Sequence, residues 1–90
     1  MKKIFKYQLD IVDEQYIDLP VGSEAISVVN QHDVVMLYVK VDDEAEATSK
    51  VKFLIKGTGH DLDFKEEEYR FLGTVVTLGG MYVWHVFVEK

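Results

Sequence analysis

The string Gly57-Thr58-Gly59-His60 is the sharpest local candidate for chemistry in the chain. Two glycines one residue apart allow a tight backbone turn and can expose N–H groups to an anion. No Lys-Ser/Thr follows, so this is not a nucleoside-triphosphate phosphate loop. No helix N-terminus is expected behind it either. The plainer reading is a turn that ends a strand. His60 and His85, with Asp61 or Asp63, would make a metal or acid–base site only if the fold brought them together. His85 stands among Met81, Val83 and Phe87 and is expected opposite Thr74. A half-buried histidine bonded to that hydroxyl is the simpler outcome. His32, beside Asp33, is expected to be exposed. Ser23, Ser27 and Ser49 lie in unrelated contexts, and no nucleophile sits with a base. The chain is therefore not expected to be an enzyme, and neither a cofactor nor a resident metal is expected. A hydrolase built on His60 and His85 is the weakest of the readings.

Acidic residues fall into two groups. Asp42, Asp43, Glu44 and Glu46 form one, and Asp61, Asp63, Glu66, Glu67 and Glu68 form the other. Neither has the spacing of a helix–loop–helix calcium site. Both read as solvated loops or, alternatively, as a surface for a basic protein partner that competes with phosphate. The net charge of −6 opposes direct nucleic-acid binding, which needs a basic face. Tyr and Phe are numerous, but they interleave with few cations, so a base-stacking platform is not expected.

The elements that must carry these groups are strands. Helical periodicity is nearly absent, and alternation and β-branched runs dominate. Lys3–Ile11 alternates, with Phe5, Tyr7, Leu9 and Ile11 on one face. Tyr16–Leu19, Ala25–Val29 and Val34–Val41 follow, with Asn30–Asp33 as a hairpin loop. Val51–Gly57 directs Val51, Phe53 and Ile55 inward and Lys50, Lys52 and Lys56 outward. Tyr69–Leu78 and Met81–Val88 complete the set. Asp42–Ser49 and Thr58–Glu68 are loops, and Phe64–Glu68 has room for one helical turn. The expected fold is a single all-β domain over residues 1–90: about seven mostly antiparallel strands in a sandwich or flattened barrel.

Gly79-Gly80 predicts a two-residue primed turn pairing Leu78 with Met81. That register puts Thr77/Tyr82, Val75/Trp84, Gly73/Val86 and Phe71/Val88 on one face. Leu78/Met81, Val76/Val83, Thr74/His85, Leu72/Phe87 and Arg70/Glu89 lie on the other. Gly73 leaves a gap for Trp84 to cover. Both faces are apolar, so one should pack the core and the other should meet a loop, another strand or a second subunit. The side with Phe71, Val75, Tyr82 and Trp84 is expected to form part of a homo-oligomer interface.

Several strings resemble a family of small phage and bacterial proteins of unknown function. They are Phe5–Leu9, Gln15–Gly22, Ile26–Val28, Gly57–His60, Phe71–Val75 and His85–Phe87, which together span nearly the whole chain. The resemblance implies a phage or prophage origin and supplies no activity. It also implies a proline after the glycine-histidine string. Asp61 stands there instead, so the loop's conformation need not carry over. With no cysteine, no long apolar run and no apolar stretch after the basic start, the expected location is the host cytoplasm, away from membranes. The leading expectation is a non-enzymatic phage accessory protein that binds another protein, either a host defence or a nucleic-acid-binding protein. The alternative is a small-ligand protein holding a nucleotide or anion at Gly57, Thr58, Gly59 and His60, with His85 nearby.

Overall fold

The computed structural model describes residues 1–90 as seven strands in two layers. They are β1 (Lys2–Leu9), β2 (Glu14–Pro20), β3 (Glu24–Gln31), β4 (Val34–Asp42), β5 (Thr48–Gly57), β6 (Tyr69–Thr77) and β7 (Tyr82–Glu89). A three-stranded sheet has the order β1-β4-β3, and a four-stranded sheet has the order β2-β5-β7-β6. All pairings are antiparallel, and no strand closes the layers into a barrel. One short 3₁₀ turn, Glu66–Glu68, ends the long loop before β6. No helix is long and apolar enough to cross a membrane.

The core forms where the alternating apolar sets of the two layers meet. Val35, Leu37, Val39 and Val41 of β4 face Phe53 and Ile55 of β5, Val86 and Val88 of β7, and Val75 of β6. Each such side chain contributes roughly 1.5–3 kcal/mol on burial. β4 and β5 are interior strands with both edges paired, which suits their dense β-branched sequences.

The layers are locked along one side only. There β3 packs on β6, and Gly73 is the contact point: a Cβ at that position would lie 3.0 Å from Val28 Cγ2. The missing side chain thus admits Val28 of the opposite layer, not Trp84. Three hydrogen bonds reinforce this side. Arg70 Nη2 donates to the Ala25 carbonyl at 2.7 Å, and Asn30 Nδ2 donates to the Val76 carbonyl at 2.7 Å. The Leu78 N–H donates to Asp33 Oδ1 at 3.1 Å. The β3–β4 turn narrows to His32 and Asp33, with positive φ of 57° and 63°, and the Asp33 N–H donates to Asn30 Oδ1 at 2.9 Å. The strand therefore runs through Asn30 and Gln31, which the sequence reading placed in the loop.

The expected β6–β7 register holds from Thr77↔Tyr82 to Gly73↔Val86 and then shifts. A bulge at Leu72 pairs Phe71 with Phe87 and Arg70 with Val88. One extra residue on β6 carries every earlier side chain to the opposite face. At the turn both glycines have positive φ, and the Met81 N–H donates to the Leu78 carbonyl at 3.1 Å, as a primed turn requires. Leu78 itself takes a φ of 50°, so the ladder stops at Thr77 and Tyr82.

The expected oligomer surface does not survive this geometry. Val75 is buried within the chain at 2 % exposure, and Trp84 is half-buried against the core, with its Nε1 donating to Thr77 Oγ1 at 3.2 Å. Tyr82 stacks beside Trp84 at the open end, 46 % exposed. Phe71 has moved to the outer face. The four residues do not share a surface. Ile11, expected on β1, lies beyond its end and is exposed.

Candidate functional site

The side chains singled out at Gly57–His60 and His85 gather on the outer face of the four-stranded sheet. Pairing sets Lys56, His85 and Thr74 side by side across β5, β7 and β6. The next row holds Leu54, Phe87 and Phe71. The loop 58–68 folds back over both rows. Phe64 packs edge-on against Phe87, with centroids 5.0 Å apart, and against Tyr69 at 5.2 Å. Phe71 adds a third edge contact to Phe87 at 5.4 Å. Leu54 is buried here, outside the main core.

Lys56 also lies under this loop, only 4 % exposed, although alternation placed it in solvent. Alternation was right about the face, but that face is covered. The ammonium is held by Asp13 at 2.5 Å and Asp63 at 3.0 Å. Their carboxylates, Asp13 foremost, raise its pKa above the ordinary lysine value, and Lys56 in turn holds the Asp63 carboxyl below the usual range. Two acids from separate loops thus compensate a buried cation, and the phenyl ring of Phe64 lies near the same ammonium.

His85 is bonded at both ring nitrogens to threonine hydroxyls. Thr58 Oγ1 is 2.8 Å from Nε2, and Thr74 Oγ1 is 3.0 Å from Nδ1. A neutral ring satisfies both by donating at one nitrogen and accepting at the other. The bond to Thr74 is the one the register predicted. No carboxylate orients the ring, and its nitrogens are already engaged, so it pins the loop to the sheet.

The Gly57–His60 string forms a tight turn whose amides serve the fold. The His60 N–H donates to the Gly57 carbonyl at 3.0 Å, and Gly59 takes the positive φ, 89°, suited to the third position of a type II turn. The Gly57 N–H donates to His60 Nδ1 at 3.1 Å, and the Thr58 N–H donates to the Val83 carbonyl at 3.3 Å. The imidazole lies directly over Gly57, where a Cβ would come within 2.8 Å of the ring. Of the expected row of free amides, only the Gly59 N–H is left without a partner. A cleft of about 330 Å³ remains beside the turn, bordered by His60, Leu62, Phe71, His85 and Phe87. No group of three His, Asp or Glu side chains converges anywhere as metal ligands would.

The two acidic groups differ in electrostatic state. Asp42, Asp43 and Glu44 surround the Met1 amine at 3.2, 3.0 and 3.2 Å, and Asp43 also meets Lys3 at 2.6 Å. The Glu44 N–H on Asp42, and Lys3 on Asp43, hold these carboxyls below their ordinary values. Glu46 lies near them, exposed and without an ion pair. Glu66, Glu67 and Glu68 are all exposed, and none makes a salt bridge. They lead directly into β6, beside Phe71 (54 % exposed). Sequence reasoning placed Phe71 on the wrong face and missed Leu62 and Phe87 as its companions.

The model of the family described as Domain of unknown function (DUF7352) matches residues 1–90, and the chain belongs to that family. No curated protein and no solved structure matches the chain.

Proposed function

We propose that the chain is a non-enzymatic protein-binding domain, and that it takes a basic partner on the outer face of its four-stranded sheet. The observation that carries this reading is that Glu66, Glu67 and Glu68, exposed and without counter-ions, run directly into the strand whose exposed Phe71 borders a cleft with Leu62. Three unneutralised carboxylates steer a cationic surface, and an aromatic cleft accepts one apolar anchor from it. The neutralised Asp42–Glu44 group is the poorer partner surface for the same reason. The resemblance to small phage and bacterial proteins supports an accessory role in an infected cell, where nucleic-acid-binding host proteins offer such basic surfaces. The alternative reading, a nucleotide or anion at Gly57–His60, is weakened because three of the string's four amides are engaged in the fold.

The test is fluorescence anisotropy with a panel of labelled peptides that vary net charge and carry or lack one aromatic or leucine anchor. Basic anchored peptides should bind, with affinity falling as salt rises. Glu66→Gln/Glu67→Gln/Glu68→Gln should weaken that binding, as should Phe71→Ala. Equal binding of acidic and basic peptides would sink the proposal.

A further inference from the structure

The side of the sandwich opposite the β3–β6 contact carries two unpaired strand edges. Because β3 faces β6, the remaining outer strands, β1 and β2, are both on the far side, joined by the short link 10–13. That link crosses between the layers, so β1 and β2 run in opposite directions. A side-chain clasp at the link, Gln15 Nε2 to the Asp10 carbonyl at 2.8 Å, supports this connection. Phe5 belongs to the inward set of β1, paired with Val39, yet it is 42 % exposed. Tyr7 and Ile17 reach the core only partly. Leu9 and Leu19 of the same strands are fully buried, so the layers part only at the margin, where Phe5, Tyr7 and Ile17 remain incompletely covered.

The two edge strands bear side chains of opposite sign. β1 bears Lys2, Lys3 and Lys6, and Lys2 and Lys6 have no ion-pair partner. β2 bears Glu14 and Asp18, more than half exposed although each has a lysine of β5 on its inner neighbour. Lysines on an edge strand ordinarily block pairing. Here they block β1 against another β1 and leave β2 as the complementary edge.

We infer that two copies of the chain associate about a twofold axis parallel to the strands, β1 of each pairing antiparallel with β2 of the other. That axis exchanges the layers. The three strands of one copy then continue into the four of its partner, on both levels. Each free edge on this side is then paired once, in two equivalent joints, and Phe5, Tyr7 and Ile17 are enclosed. The contact is distinct from the protein-binding face proposed above and stands without it.

The chain has no cysteine, so engineered cysteines report the contact directly. Lys6→Cys protein is mixed with Asp18→Cys or Tyr16→Cys protein and oxidised under mild conditions. The expected product is the mixed β1–β2 disulfide dimer. In sedimentation velocity the native chain should dimerise at tens to hundreds of micromolar. Lys6→Glu should weaken that dimer roughly tenfold, and adding Asp18→Lys should restore it. A native chain that stays monomeric throughout that range overturns the proposal. Cross-linking dominated by Lys6–Lys6 or Asp18–Asp18 homodimers overturns it equally, because it reports the like-with-like joint.

Discussion

Along the β3–β6 side the two layers come together as closely as a glycine permits. Val28 occupies the space a Gly73 side chain would fill, Arg70 reaches across to Ala25, and the two hairpin tips are tied through Asn30 and Asp33. Along the β1–β2 side only the Asp10–Gln15 clasp spans the link, and an inward-facing phenylalanine remains in contact with water. The same two sheets provide both sides, so strand propensity does not explain the difference. It lies in single residues. A glycine and three hydrogen-bonding side chains close one side, while the other has no comparable tie and leaves Phe5 partly in water. A small sandwich needs one closed side to fix the layers, and an open one is then free to be used.

The comparison breaks most severely at Gly73. Gly73→Leu should force β3 away from β6, because the backbone and Val28 both confine the new side chain. Overpacking of this kind costs about 1–3 kcal/mol. Urea denaturation reads it as a lower midpoint with an unchanged slope. A variant as stable as the native chain would show that the closed side is looser than its geometry.

Asn30→Ala should cost less, about 1 kcal/mol, since the site is exposed and water replaces part of what is lost. It removes the bond to the Val76 carbonyl and the support of the left-handed Asp33 turn. Hydrogen exchange at Leu78 and Val34 should accelerate, while amides of β5 keep their protection. Uniform acceleration throughout the chain would mean that Asn30 acts on global stability and is no local tie between tips.

Much of this architecture was legible in the residues. Alternation located all seven strands, and the double glycine set the β6–β7 register as far as Gly73. The failures have specific causes. A bulge leaves no mark when the extra residue is as apolar as Leu72, so Phe71 was placed on the wrong face. Period two identifies the face of a strand and is silent on what covers it, so Lys56 read as solvated. The fold brought His85 to Thr58 as well as to the expected Thr74, because the β5–β7 pairing, which sets Lys56 opposite His85, continues one residue past Gly57. Which backbone amides a glycine turn leaves free depends on where its neighbours' side chains fall, and the string alone did not show that His60 would fold onto Gly57.

The smallest expected effect on folding comes from Phe5→Ser, and it is the sharpest probe of the open side. Phe5 alternates in register with Tyr7 and Leu9 and pairs with the fully buried Val39, so position alone makes it a core residue. Truncating a buried phenylalanine costs about 3–5 kcal/mol. Yet 42 % of its surface remains in water, at the edge where the layers part. In a dilute monomer much of its apolar area is already exposed, and the loss should fall within about 1 kcal/mol, nearer the range of surface substitutions. At high protein concentration the outcome should differ, because a dimer joined at β1 and β2 encloses the ring. The native chain should then melt higher as concentration rises, and Phe5→Ser should abolish that dependence. Thermal denaturation of both proteins over a hundredfold range of concentration separates the cases. A loss of several kcal/mol in the dilute monomer would make Phe5 part of the core and close the side that the geometry leaves open.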